Sequence, residues 1–215
     1  MLHENHAFII IELNVSVIWS YFAIKYIVFL KLKKTMPEPT DAFLSQYALM
    51  ARYNTWINSQ LYNACEKLSD AQRKADRGAF FGSIHHTLTH LLLADKMWLA
   101  RFAAQATAAP ALSPSLLHMP EGSDYTSDLH PQWQDLRSVR AALDAAIEAW
   151  IAQMPPEFLS ATMHYANTKG VQRAHPAWQA MAHFFNHQTH HRGQATTLLM
   201  QAGVDVGVTD LVALL

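Results

Sequence analysis

Residues 183–194 read H-F-F-N-H-Q-T-H-H-R-G-Q, which places histidines at His183, His187, His190 and His191. On a helix, residues three, four, seven and eight apart share a face, so these four imidazoles fall on one stripe that continues to Gln194 and Leu198. Neutral imidazole is a good ligand for zinc, nickel, copper and iron. Two histidines at i and i+4 aim their ring nitrogens at one point, which is how H-E-x-x-H holds its metal. His187 and His191 have that spacing, as do His183 and His187, and His187 with His190 is nearly as good. The stripe alone does not choose among these pairs. A helix pair also supplies only two ligands, so the rest of the chain must provide more.

A second histidine-rich stretch runs through His85, His86 and His90 to Trp98. It predicts a helix from about Ser83 to Ala106 with Ser83 as the N-cap. Leu91, Ala94, Trp98 and Phe102 form part of its apolar face, with His86, His90 and Met97 along one flank. The spacing of His90 from Thr87 and Ala94 points it inward. A lone inward histidine is usually a hydrogen-bonded core residue, but a second histidine-rich helix makes a metal ligand an equal reading. Joining His90 to His187 and His191 gives three protein ligands and an open position, the arrangement of a catalytic metal; a closed structural site normally has four. Three histidines without cysteine suit zinc, nickel or iron. Asp95, Asn186, Gln194 and Tyr53 are candidates to orient the imidazoles. The competing reading is an exposed, titrating helix face that holds no metal.

The elements that must position these residues follow from apolar periodicity. A first helix is predicted from about Asp41 to Leu68, capped by Thr40 or Asp41, with Tyr47, Trp56, Ile57 and Leu61 on its apolar stripe and a polar surface around it. A third runs from about Pro131 to Met154 and a fourth from about Pro176 to Gln201, ended by Gly203. Residues 107–128 form a long crossover connection. Residues 158–174 read as a short hairpin or extended insertion turning at Asn167-Thr168-Lys169-Gly170. The fold class is all-α, a four-helix bundle with a long crossover connection and a short hairpin before the last helix; such bundles build metal sites between facing helices.

With 215 residues, 51% hydrophobic, the chain can bury a sizeable core. A net charge of −1 and no basic stripe argue against a nucleic-acid partner. The single cysteine, Cys65, excludes an internal disulfide and any multi-cysteine metal site, and it reads as a packing residue. Thirteen histidines raise the weight of metal or acid–base chemistry. Residues 1–35 differ in texture: residues 8–32 are rich in Ile, Val, Phe and Tyr and run into the basic stretch Lys31-Leu32-Lys33-Lys34. One reading is a membrane-associating segment, although only Leu13 to Ile24 is free of charge, shorter than the roughly 20 residues a span needs. A signal peptide would need a basic start and a small-residue cleavage site, which are missing. The favoured reading is an N-terminal extension ahead of a true start at Met36, with one domain over residues 36–215.

Three stretches, in order, resemble the DinB (DNA-damage-inducible) family of the DinB/YfiT-like metalloproteins. They are Arg52-Tyr53-Asn54-Thr55-Trp56-Ile57-Asn58, the run from Gly82-Ser83-Ile84 to Met97-Trp98, and Asn186-His187-Gln188-Thr189-His190-His191-Arg192-Gly193-Gln194. The resemblance begins near Met36 and supports the extension reading of residues 1–35. It implies a four-helix bundle, commonly a homodimer, with a divalent metal on the positions of His90, His187 and His191. His183 and His190 then fall outside the ligand set, and His86 is the runner-up to His90. The wider group includes S-transferases that use bacillithiol or mycothiol, and mycothiol-dependent maleylpyruvate isomerases. The implied activity is therefore metal-dependent S-transfer to a small-molecule substrate with a low-molecular-weight thiol, in the cytoplasm. The alternatives are a metal-dependent hydrolase, a non-catalytic metal-binding stress-response protein and, for location, membrane association through residues 8–32.

Overall fold

A computed structural model describes residues 39–105 and 111–215. Helix α1 spans Pro39–Cys65, α2 Asp70–Lys74, α3 Ile84–Ala103, α4 Pro114–Leu117, α5 Trp133–Ala152, α6 Pro156–Ser160 and α7 Ala177–Gln201. Strands β1 (Thr162–Ala166) and β2 (Gln172–Pro176) make an antiparallel hairpin between α6 and α7, and a 3-10 turn covers Leu211–Leu214. The described residues are mostly helical with one small two-stranded sheet, and from Thr40 onward they form one compact unit. No helix among the described residues is long and apolar enough to cross a membrane. Residues 8–32, on which the membrane-associating reading rests, lie outside the described residues, as do the side chains of Thr40 and Asp41.

The ends of the elements follow local chemistry. The Ser83 hydroxyl accepts the His86 amide at 3.1 Å and starts α3, which sets the phase of every later residue on that helix. Gly203, at φ 79°, adopts the left-handed conformation that stops α7. In the hairpin, the Asn167 side chain accepts the amides of Lys169 and Val171, each at 3.0 Å, while Gly170 turns at φ 74°. Three short helices were not evident in the periodicity. α2 is held by a reciprocal capping box between Ser69 and Gln72, α4 is N-capped by Ser113, and α6 takes up Phe158 and Leu159, which the residue pattern assigns to the hairpin or extended insertion. Helices of one turn are too short to display an amphipathic period.

α3 is buried on nearly every side, which marks it as the central helix. Phe102 meets Trp150 of α5 at 5.1 Å, Phe184 of α7 at 5.8 Å and Phe158 of α6 at 6.2 Å between ring centroids, so one residue ties four helices together. Beside this apolar cluster sits a buried polar one. Arg140 of α5 donates to Asp95 of α3 and forms an ion pair with Asp144 of its own helix, both at 2.6 Å. Asn54 and Asn58 of α1 donate to Asp144 at 2.7 and 3.0 Å. Gln188 of α7 donates to Asp95 at 3.0 Å, and Arg192 donates to Asn54. The polar surface expected around the first helix's apolar stripe is here partly interior: Asn54 and Asn58 are 0% and 1% exposed. Two carboxylates and two guanidiniums balance in charge. Rotating α3 or α5 would separate the Asp95–Arg140 pair, and rotating α1 or α7 would strip amide partners from Asp144, Asp95 and Arg192, which is costly in the interior. The network thereby fixes the rotation of α3 and α7, and with it the direction of His90 and His191.

Candidate metal centre

His90 leaves α3 five residues before Asp95, and His191 leaves α7 between the network residues Gln188 and Arg192. Both helices thus aim an imidazole at the same point. The His90 and His191 Nε2 atoms lie 3.2 Å apart, and those of His191 and His187 3.0 Å apart. All three residues offer nitrogens within 4.8 Å of one another. Two nitrogens bound to one zinc at ordinary lengths and a tetrahedral angle sit about 3.3 Å apart, so this spacing fits three ligands of a single ion.

The outer nitrogens set the tautomers. His90 Nδ1 lies 2.9 Å from the Tyr125 carbonyl, which can only accept, so this nitrogen carries the proton and Nε2 the lone pair. His191 Nδ1 donates to Gln194 Oε1 at 2.7 Å, with the same result. Two lone pairs therefore face each other at 3.2 Å, a repulsion that a cation between them removes. His187 Nδ1 is buried and has no partner among the described residues. Burial pushes the His90 ring down to about 4, opposed by the Tyr125 carbonyl. Burial and then the neighbouring imidazoles push His187 down to about 3. Burial also lowers His191, against the pull of Gln194. The rings are held neutral, the state in which imidazole ligates.

Phe81 covers one side of the cluster. Its ring stacks on His90 with centroids 4.0 Å apart and planes 20° apart, and presents an edge to His191 at 5.6 Å. The loop that carries it is pinned by the hydrogen bonds Arg77 N to Gly82 O and Gly82 N to Ala79 O, both 2.8 Å, with Gly78 and Gly82 at positive φ. On the other side, His90 and His187 line a cavity of about 200 Å³ between α3 and α7.

The structure brings together His90, His187 and His191 and leaves the other candidates aside. His183 leans on Trp98, with ring centroids 4.9 Å apart. His190 is exposed and meets the Gln194 amide at 3.3 Å. His86 is exposed and outside the cluster. Of the four residues expected to orient imidazoles, Gln194 alone does so. Asp95 is taken by Arg140 and Gln188. The Tyr53 hydroxyl donates to the Thr209 carbonyl at 2.6 Å, and Asn186 is exposed. Two contributors went unread in the sequence. The Tyr125 carbonyl is main chain and has no signature; Phe81 was readable as an aromatic just ahead of the capped histidine-rich helix.

The comparisons with known proteins bear on family and fold. The profile of the DinB family matches residues 36–215. Protein DinB of Bacillus subtilis (strain 168) is 26% identical over 170 residues, covering 78% of this chain and 92% of that protein. The crystal structure of a DinB-like protein from Bacillus cereus ATCC 10987 superposes with a TM-score of 0.52 at 17% identity, covering 78% of this chain and 95% of that one, a likeness of fold. With a family profile spanning the histidine-bearing helices and everything between them, the chain belongs to the DinB family.

Proposed function

We propose that this protein is a divalent-metal protein in which His90, His187 and His191 hold one ion between the long helices of a four-helix bundle, and that it is a metal-dependent transferase using a low-molecular-weight thiol on a small-molecule substrate. The observation that carries the proposal is the convergence of three histidine Nε2 atoms beside a cavity that His90 and His187 line. When bound, a divalent ion supplies Lewis acidity that lowers the pKa of a thiol or water brought to it. The chain's own residues do the rest. Tyr125 and Gln194 hold the rings of His90 and His191 in the ligating tautomer. Phe81 keeps water off one face, and the cavity leaves another open to a ligand.

The thiol must come from outside the chain. Cys65 is buried at the end of α1, and burial pushes its thiol up to about 12, so it is no nucleophile at neutral pH. Hydrolysis would need a general base, and Asp95, the carboxylate on the helix that carries His90, is locked against Arg140 instead. A cytoplasmic homodimer is part of the same proposal and rests on the family resemblance; light scattering tests the dimer.

Metal analysis of the purified protein and its variants tests the site. One equivalent of metal in the wild type is expected, retained in H183A and H190A and lost in H90A, H187A and H191A. A wild type that holds no more metal than the three ligand variants overturns it. Metal-loaded protein assayed with a panel of low-molecular-weight thiols and electrophiles tests the transferase step, and inactivity with every thiol rejects that step.

A further inference from the structure

The face of α3 that carries His90 continues through Ala94, Met97 and Trp98 to Arg101, all on one stripe at helical spacing. α7 runs antiparallel along it: His187 lies beside His90 and His183 beside Trp98, with ring centroids 5.4 and 4.9 Å apart. These faces, with Tyr165 of β1, bound the cavity whose one end is the histidine cluster. Arg101 lines the other end. Its guanidinium lies 4.7 Å from the Trp98 ring centre and 5.0 Å from that of Tyr165. Among the described residues no carboxylate pairs with it, whereas the fully buried Arg140 meets Asp95 and Asp144. A half-buried cation without a counter-ion is costly. Its neighbours here are two ring π-systems, so the guanidinium has no anionic acceptor among the described residues, and its planar fork of N–H donors is of the kind that receives a carboxylate or phosphate in bidentate fashion.

We propose that Arg101 docks an anionic oxygen group of the substrate, which lies along the α3–α7 groove with one end at the histidine cluster and its body against Trp98 and Tyr165. Arg101 follows His90 by eleven residues, about 16 Å along the axis, but helical side chains lean toward the N-terminus, so the guanidinium reaches back over the groove. A molecule that joins both ends is extended, with several bonds between its metal-seeking group and its anion. This inference rests on the proposed reading of the cluster as a metal site that meets substrate.

The test is calorimetric titration of zinc-loaded protein with 6-mercaptohexanoate, its methyl ester and 6-mercaptohexyl phosphate, for the wild type, R101Q and R101K. Chelator-stripped protein is titrated with hexanoate, which probes the arginine end alone. The wild type is expected to bind the acid or the phosphate at least tenfold more tightly than the ester, and the stronger of the two anions identifies the group. R101Q abolishes the preference, R101K keeps part of it, and hexanoate binding to stripped protein vanishes in R101Q. Equal affinity for acid, phosphate and ester in the wild type overturns the inference while leaving a metal site intact. So does a preference that survives R101Q, or no binding by any of these anions. Arginine-dependent hexanoate binding by a protein that takes up no zinc leaves the inference standing and rejects the metal reading.

Discussion

Gln194 accepts a hydrogen bond from His191 Nδ1 at 2.7 Å, one helical turn beyond the ring it orients. The bond holds the proton on Nδ1 and leaves Nε2 to meet His90 and His187. Partners of this kind typically change metal affinity by roughly 10–100-fold. Q194A is expected to weaken zinc binding within that range, measured by competition with a chromogenic chelator, whereas Q194E, which keeps an acceptor, should bind at least as tightly as the wild type. Unchanged affinity in Q194A would remove Gln194 from the site.

The buried network makes a stability prediction. Arg140 and Asp95 are 2% and 1% exposed, and Arg140 also neutralises Asp144. R140M leaves two interior carboxylates without their guanidinium, and breaking a buried pair from one side costs about 3–5 kcal/mol. Urea unfolding should show that loss. Because α3 and α7 are set in rotation by the same network, the variant should also bind zinc more weakly although Arg140 does not touch the cluster. A stability change below about 1 kcal/mol would mean that the carboxylates find other partners or take up protons.

The four long helices and the hairpin were legible because periodicity, caps and turn residues act locally. Ser83, Asn167 and Gly203 each do in the structure what their types imply. The ligand set was legible only in part: helical spacing offered His183, His190 and His191 as partners for His187, and the choice depends on which rotation of α7 is buried. That rotation is set by Gln188 and Arg192 meeting residues ninety or more positions earlier, a pairing no local pattern contains. Asn54 and Asn58 read as surface for the same reason, since an amide's partner lies on another helix. Asp95 was misassigned because a carboxylate near a histidine helix fits an orienting role until Arg140 is seen beside it.

Acidity should act on the metal-free protein through the cluster. His90 and His187 are held near 4 and 3 in the folded state, whereas in the unfolded chain they titrate at their ordinary value of about 6.5. At these two rings the unfolded state binds more protons than the folded state between about pH 6.5 and 4, so their contribution to stability falls as pH falls through that window, opposed in its lower part by buried Asp95, which burial raises to about 6. The urea midpoint of chelator-stripped protein is expected to drop between about pH 7.5 and 5, and to drop less in H187A, which lacks the most strongly shifted ring. A midpoint that is flat across the window, or an H187A slope equal to that of the wild type, counts against neutral burial of the cluster.

Phe81 separates access from affinity. Its ring lies flat on His90 and edge-on to His191, yet it comes from a loop and is itself only half-buried, so removing it deletes little core packing. F81A should therefore change the melting temperature slightly while letting a chelator reach the site sooner. The expected readout is faster zinc release in stopped-flow exchange, with a smaller change in equilibrium affinity, because all three ligands and both orienting contacts remain. F81L, which restores apolar cover without the stack, should recover most of the slow release if exclusion of water is what the ring provides. If F81L releases zinc as fast as F81A, the flat contact with the His90 imidazole is the operative feature, and Phe81 acts by holding that ring in place.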